Sequence, residues 1–399
     1  MATIQRIDEI GTDNLFGRRV FLRADFNVPI EDGVVTDDTR IRAVLLTIYY
    51  LIANGARIVI ATHQGRPKGQ GYERVFSLAP VAKVLSDMLG QEVKLIDINA
   101  AEAAINELQP GEVLMLENLR FHSGEKQNDP KFAAQLASLA DIYVNDAFAC
   151  AHRAHASIVG ITEHLSGSSY AGFLMCKEVE MLSKLLSKPE GPFVVVLGGN
   201  KVSDKIKVIE SLLDKVDTLL IGGAMCFTFL FAQGHSVGTF SVERDMANWA
   251  IDVMAKAKEK GVSLVLPVDF ITAVTPSSDE VDTHIHAIDV RCFPKSEMGL
   301  DIGPRTRETY SKFISEASTV FWNGPMGFFE KVPFENGTKV IADAVARTEC
   351  MSVVGGGDTV AAINKFNVAR KIRFISTGGG ATLKYLEDKK LPGITALER

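Results

Sequence analysis

Short runs of β-branched and apolar residues, closed by glycine, proline, asparagine or aspartate and followed by stretches of helical periodicity, recur along this chain from end to end. That alternation leaves few folds open. Strands with a period of two and helices with a period of about 3.6 bury their apolar faces together when the helices cover a mostly parallel sheet. Strands are expected near Arg19–Ala24, Arg57–Thr62, Glu112–Glu117 and Asp141–Asn145 in the first half. In the second half they are expected near Phe193–Leu197, Thr218–Ile221, Ser263–Pro267, Thr319–Trp322, Met351–Val354 and Ile372–Ser376. Between them, segments such as Leu78–Leu89 and Lys331–Arg347 show the apolar spacing of one helix face. A chain of 399 residues exceeds what one core usually organises. The reading is α/β, with two doubly wound, Rossmann-like parallel-sheet domains joined by a helix hinge. The hinge is placed at 171–188, where the helical pattern Ala171–Ser187 meets Lys188-Pro189-Glu190-Gly191-Pro192. The polar stretch Asp269–Asp289 reads as a hairpin or loop.

A net charge of −6 argues against nucleic acid or an anionic membrane as the main partner, so any anion site must be local. The five cysteines are scattered, with no C-x-x-C pair, which points to reduced intracellular thiols rather than a disulfide framework or zinc knuckle. No apolar run reaches the length of a bilayer span and the first ten residues have no signal-peptide core, so a soluble cytosolic protein is expected.

In open α/β sheets, ligands lie beyond the carboxyl ends of the strands. In the first half those ends carry polar side chains, mostly donors: Asp25 and Asn27, His63 and Arg66, Arg120, and Arg153, with Arg40 joining them if its turn folds back. Guanidinium forks match phosphate and carboxylate oxygens two at a time, so this set suits a small, multiply charged anion. A lone arginine there would be read as solvated. The pair His152 and His155 near Cys150 lacks a second ligand pair at zinc spacing and reads as structural or anion-facing.

In the second half the strand ends carry glycine: Gly198-Gly199, Gly222-Gly223, Asn323-Gly324-Pro325, Gly355-Gly356-Gly357-Asp358-Thr359 and Thr377-Gly378-Gly379-Gly380. Glycine lets main-chain N–H groups approach a phosphate, and repetition over a broad edge suggests a nucleotide. Asp358 offers a hard oxygen for magnesium at a helix start, or a cap for that helix. Lys201 and Lys205 follow Gly198-Gly199 without Walker A or G-x-G-x-x-G spacing; four residues apart, they would share a face within one helix. Together the halves describe a two-substrate phosphoryl-transfer enzyme that closes like a clamp, with Lys201, Lys205 and Arg40 as candidate charge on the migrating group.

The motifs Arg23-Ala-Asp-Phe-Asn-Val-Pro29, His63-Gln-Gly-Arg-Pro67, Glu117-Asn-Leu-Arg-Phe121, Asn145–His155, Gly198-Gly-Asn-Lys-Val-Ser-Asp-Lys205, Trp322–Glu330 and Gly355–Thr359 resemble, in order and over essentially the full length, the phosphoglycerate kinase family. The resemblance implies an N-terminal domain at 1–170 for 3-phosphoglycerate or 1,3-bisphosphoglycerate. It further implies an interdomain helix at 171–188, a nucleotide domain at 189–385 for ADP or ATP with Mg2+, and a tail at 386–399 that returns to the first domain. Carried over by motif, Asp25, Phe26, Asn27, Arg40, His63, Gln64, Gly65, Arg66, Arg120 and Arg153 would hold the glycerate. Lys205, Gly299, Asn323, Glu330, Gly356, Gly357, Asp358 and Thr359 would hold the nucleotide, with Asp358 toward the metal and Arg40, Lys201 and Lys205 catalytic. A monomer acting in the cytoplasm on small molecules is implied.

An acceptor carboxylate is already ionised and needs no general base, which suits the absence of a base candidate. The chain departs from the family pattern at Ala149-Cys150, where Gly-Thr is more frequent, and at Gln64, Asn200 and Ala224, where Leu, a small residue and a third glycine are common. A nicotinamide dehydrogenase is disfavoured by the missing dinucleotide fingerprint. A catalytically silent nucleotide or glycerate-phosphate sensor is disfavoured by the joint presence of Arg40, Lys205 and Asp358.

Overall fold

A computed structural model describes residues 4–11, 14–187, 189–274, 285–388 and 390–398. It divides into two compact units, one of Met1–Glu180 with Asp388–Arg399 and one of Met181–Glu387. In the first unit the strands are β1 (Arg19–Arg23), a small antiparallel pair β2 (Ile30–Glu31) and β3 (Val34–Val35), then β4 (Arg57–Ala61), β5 (Lys94–Ile96), β6 (Val113–Leu116), β7 (Ile142–Asn145) and β8 (Ser169–Ala171). Six of these form one sheet in the order β5-β6-β4-β1-β7-β8, and each neighbouring pair in it is parallel. Val20 at its centre lies opposite Ile58 on one side and Ile142 on the other.

Helices bury both faces of this sheet, which explains why β6 and β7 read as continuous apolar runs instead of alternating. On one face Val20, Leu22, Ile58, Ile60 and Met115 pack against Ile41, Val44, Ile48, Val81 and Leu85 of the helices Thr39–Ala53 and Ala79–Leu89. Two strands of the six-stranded sheet escaped the sequence reading: β5 and β8 are three residues long and lie at its edges, too short to show a period. The chain ends meet in this unit, where Ile4 bridges Glu398 and the Gly393 amide donates to Ala151 O at 2.8 Å.

The second unit holds β9 (Phe193–Leu197), β10 (Thr218–Ile221), β11 (Ser263–Val265), β12 (Asp269–Ala273), β13 (His286–Asp289), β14 (Met298–Ile302), β15 (Thr319–Asn323), β16 (Met351–Gly355) and β17 (Phe374–Ile375). Its six-stranded parallel sheet runs β11-β10-β9-β15-β16-β17. Strand order reverses between β9 and β15, and the crevice beyond the carboxyl ends at such a reversal is where these sheets bind ligands.

A separate three-stranded antiparallel sheet, β13-β12-β14, flanks it. The ends of Asp269–Asp289 are therefore paired strands, Phe270 opposite Ile288, and residues 275–284 between them lie outside the described residues. The third strand, Met298-Gly-Leu-Asp-Ile302, gave no warning in sequence because its glycine and aspartate break the β-branched pattern. Its neighbour is fixed by Asp269, a buried carboxylate that accepts from the Arg305 and Thr306 amides at 3.0 and 2.9 Å and so caps the helix Pro304–Ser315.

The helix Phe173–Ser187 carries the chain from one unit into the other. Ala171, expected within that helix, belongs to β8. Among the described residues no helix is long and apolar enough to cross a membrane.

Candidate functional site

In the first unit β1, β4, β6 and β7 deliver the expected residues to one edge. Asp25, two residues past β1, is buried and receives Arg40 Nη1 at 2.9 Å on Oδ2, while its Oδ1 accepts the Asn27 amide at 3.2 Å. Arg40 Nη1 also donates to Asn27 O at 3.3 Å, so the turn does fold back over the edge. The Asn27 side chain in turn accepts the Gly65 amide at 2.8 Å. Gly65 must be glycine: its φ is +59°, and a Cβ there would stand 2.4 Å from the Phe76 ring.

Arg120 Nη1 donates to Gly65 O at 2.7 Å, and burial lowers its pKa from the ordinary guanidinium value. Asn118, which the sequence reading passed over, ties the loops together by donating to Gln64 O at 2.8 Å and Phe76 O at 3.0 Å while accepting the Arg120 amide at 3.0 Å. Arg153 Nε reaches His152 Nε2 at 3.2 Å. At the middle of this set is His63, almost fully buried. Its pKa is pushed well below the usual imidazole value by burial first, then by the charges of Arg23, Arg120, Arg153 and Arg40. The structure thus groups Arg40, Arg120 and Arg153 around one imidazole, while Arg66 is exposed.

Two expectations change here. The Phe26 ring is fully buried, so only its backbone belongs to the edge, and its amide is already given to Thr62 Oγ1 at 2.8 Å. Gln64 points inward, donating to Val28 O at 2.8 Å.

In the second unit the loops after β9 and β15 meet at the reversal of strand order. The glycines there serve a purpose the sequence did not disclose. Gly198 N donates to Asn323 O at 3.0 Å, Gly199 N to Pro325 O at 3.1 Å, Gly222 N to Leu197 O at 2.8 Å and Gly223 N to Met326 O at 3.2 Å. Backbone packs on backbone so closely that a Cβ on Gly198 would stand 2.1 Å from Pro325 O. The expected cradle of N–H groups at Gly198-Gly199 and Gly222-Gly223 is therefore not available to a phosphate. Open N–H groups remain at the first turn of the helix Gly357–Lys365, whose amides have no intrahelical partners.

Asn323 donates to Gly355 O at 2.7 Å and accepts from Lys205 Nζ, and Thr359 Oγ1 accepts the Gly324 amide at 2.7 Å. These two are struts that hold the loops, with Thr359 fully buried. Lys205 is buried, and desolvation brings its pKa down to about 8 against the opposing charges of Asp204 and Asp358. Lys201 and Lys205 do not share a helix face: Lys201 is exposed and precedes any helical turn, Ser203–Lys205 is a short 3-10 turn, and the α-helix begins at Ile206.

The carboxylate of Glu243, unmarked in sequence because it comes from a distant loop, accepts Val202 N at 2.7 Å, Ser203 N at 3.2 Å and Ser203 Oγ at 2.5 Å. Although burial opposes its charge, those bonds and Lys201 hold its pKa below the ordinary value.

Beside these loops is a cavity of about 560 Å3 with an aromatic wall. Phe227 stacks on Phe240 and Phe270 at centroid distances of 4.7 and 4.8 Å, and the cavity rim carries Gly299, Glu330 and Asp358. Gly299 leaves room for the Phe227 ring, which a Cβ would meet at 2.5 Å. A flat apolar slot that opens on a helix N-terminus and a carboxylate, with the buried Lys205 beside the Gly199 that lines it, suits a base joined to a polyphosphate. The Asp358 carboxylate is exposed and makes no hydrogen bond among the described residues, and the helix N-cap is Gly356. It is not spent as a cap, and as a hard oxygen donor it fits magnesium.

A family model for phosphoglycerate kinase matches residues 7–389. A phosphoglycerate kinase of Moorella thermoacetica is 52% identical over 389 residues, covering 96% of this chain and 97% of the relative. The phosphoglycerate kinase structure from Coxiella burnetii superimposes with a TM-score of 0.89 at 42% identity, covering 99% of each chain. That from Pyrococcus horikoshii gives 0.86 at 35% identity, covering 99% of this chain and 98% of the other.

Proposed function

This chain belongs to the phosphoglycerate kinase family, and on that premise we propose how its residues divide the reaction. The enzyme transfers a phosphoryl group reversibly between 1,3-bisphosphoglycerate and ADP, giving 3-phosphoglycerate and ATP, a step of glycolysis. Neither the silent sensor nor the dehydrogenase is favoured.

In the proposed division the edge of the first unit, with Asp25, Asn27, Arg40, His63, Arg120 and Arg153, takes the glycerate. Arg66 would close on it from solvent, and Phe26, Gln64 and Gly65 shape the loop. The aromatic slot with Gly299 and Glu330 takes the nucleotide base and sugar, and the turn Gly356–Asp358 takes the phosphates. Asn323 and Thr359 support them. Bound at Asp358, magnesium would neutralise charge on the phosphate oxygens.

The observation that carries the nucleotide half is Lys205, a buried ammonium fixed by Asn323 beside the Gly199 loop and Asp358. Its charge, with that of Arg40, would meet the migrating phosphoryl group. Lys201, exposed and outside the helix, would act at longer range. No general base is required because the acceptor oxygen is a carboxylate, ionised far above its pKa. Closure about the helix Phe173–Ser187, a monomeric state and a cytoplasmic location belong to the same proposal. The small, diffusible substrates of the reaction fit the location, and analytical ultracentrifugation tests the monomeric state. The test of the function is magnesium-dependent ATP formation from ADP and 1,3-bisphosphoglycerate; folded protein without it refutes the assignment.

A further inference from the structure

Beneath the edge of the first unit is a buried polar cluster to which the phosphoryl-transfer scheme assigns no part. Arg23, at the end of β1, has no exposed surface. Its Nε donates to Ser157 Oγ at 2.7 Å, Nη1 donates to Ala24 O, and Nη2 stands 3.4 Å from His63 Nδ1 and 3.8 Å from Cys150 Sγ. Glu125 Oε1, fully buried, lies 3.9 Å from Nη2 and supplies the countercharge. That carboxylate is fixed by the Ser157 amide at 3.0 Å and hydroxyl at 2.6 Å. Burial would raise its pKa, but His155, Arg23 and Ser157 together lower it.

We propose that Arg23 and Cys150 are positioning residues that fix His63 as the Nε2–H tautomer, so that the ring presents one donor in one direction to an oxygen of the glycerate substrate. The functional half of this inference rests on the assignment of His63 to the glycerate site.

The groups around Nδ1 set its protonation. A guanidinium has donors only, so a nitrogen that faces Arg23 Nη2 must offer its lone pair. Cys150 Sγ, 3.9 Å from the same nitrogen, is a second donor, because burial pushes its thiol up to about 11 and keeps it protonated. Among the described residues the carboxylate paired with this nitrogen is that of Asp25, whose Oδ1 at 3.7 Å is beyond hydrogen-bond reach and already accepts the Asn27 amide. The ring is neutral, held so by burial and by Arg23, Arg120, Arg153 and Arg40. A neutral imidazole that accepts at Nδ1 carries its proton on Nε2. Among the described residues Nε2 makes no hydrogen bond within the protein.

Asp25, His63 and Cys150 bring their ligand-type atoms within 4.8 Å of one another, a spacing that would also suit a metal ion. The Arg23 guanidinium, however, stands against both the imidazole and the thiol, so two of the three already face a cation.

The test is 15N spectroscopy of histidine-labelled full-length protein, with the His63 signals assigned by His63→Gln. Nδ1 should resonate as an unprotonated imidazole nitrogen and Nε2 as a protonated one, unchanged from pH 8 to pH 5. A proton on Nδ1, or an averaged mixture, overturns the proposal. Arg23→Met, which takes the donor-only group from Nδ1, should release the ring into a tautomer mixture, and Cys150→Ala, a small change that leaves Arg23 in place, should release it in part. The KM for 3-phosphoglycerate should rise roughly 10- to 100-fold in Arg23→Met, the loss of about one hydrogen bond to a charged group, with the KM for ATP within about twofold. A single Nε2–H tautomer that persists in both variants overturns the roles given to Arg23 and Cys150. If the tautomer is as stated but His63→Gln leaves the KM for 3-phosphoglycerate unchanged, the glycerate-site assignment of His63 fails and the functional half falls with it.

Discussion

Lys205 gives the most exacting prediction because its charge is both needed and costly. Burial brings its pKa from 10.5 to about 8, so in the free enzyme its proton is lost within an accessible pH range. A difference of about 2.5 units corresponds to roughly 3 kcal/mol spent on keeping the ammonium in place of the amine, an order-of-magnitude figure. If this charge meets the migrating phosphoryl group, kcat/KM for ADP should be level up to about pH 7.5 and break near pH 8. By pH 9 only about a tenth of the lysine remains protonated, so kcat/KM should have fallen roughly tenfold, with kcat breaking at higher pH because bound phosphates restore the charge. Lys205→Arg, whose side chain cannot lose its proton, should be slower overall but level across this range. Initial rates of ATP formation at saturating 1,3-bisphosphoglycerate, from pH 6.5 to 9.5, measure both. The reasoning is refuted by a wild-type profile without a break below pH 10, or by a break that survives in Lys205→Arg.

Three further outcomes are expected. Arg153→Ala should raise the KM for 3-phosphoglycerate by roughly 10- to 100-fold, as for loss of a charge-assisted contact, with nucleotide affinity in a binding assay nearly unchanged; equal loss of both would count against the division of roles. Gly198→Ala would place a Cβ 2.1 Å from Pro325 O, and because the obstacle is backbone the loops must separate. Denaturant unfolding should show a loss of about 1–3 kcal/mol or more. Asp146 is fully buried at the end of β7, and desolvation raises its pKa to about 7 although the Met175 amide donates to it at 2.8 Å. The folded state therefore holds a proton that the unfolded chain releases near pH 4, so this carboxyl favours folding below that pH and its contribution is lost as pH rises toward 7. In Asp146→Asn that decline in stability should be absent, which urea titrations at pH 4.5 and 7.5 would show.

How much of this was legible in sequence can be judged residue by residue. The central strands and the arginines at their ends were visible because a buried parallel strand must be apolar throughout and a ligand edge must be polar, and both facts are local. The edge strands β5 and β8 and the third strand β14 were not, since three residues carry no period and Met298–Ile302 owes its pairing to β12 rather than to its own composition. The motif resemblance ordered the candidate site residues along the chain, but it could not say which of them face a ligand.

What the sequence determined by itself is the class of fold, the family and the inventory of charges at each edge. Hydrophobic period and residue type are properties of neighbours in the chain. Tertiary structure alone decided how that inventory is used. It turned Gly198, Gly199, Gly222 and Gly223 from a presumed phosphate cradle into a seam between loops, with their amides already given away. It separated Lys201 in solvent from Lys205 in the interior, and it brought Glu243 to the loop between them. It also set Arg23 and Cys150 against one nitrogen of His63. Burial and hydrogen-bond partnership depend on residues far apart in sequence, and they fix which groups are charged, which are spent and which remain for the substrate.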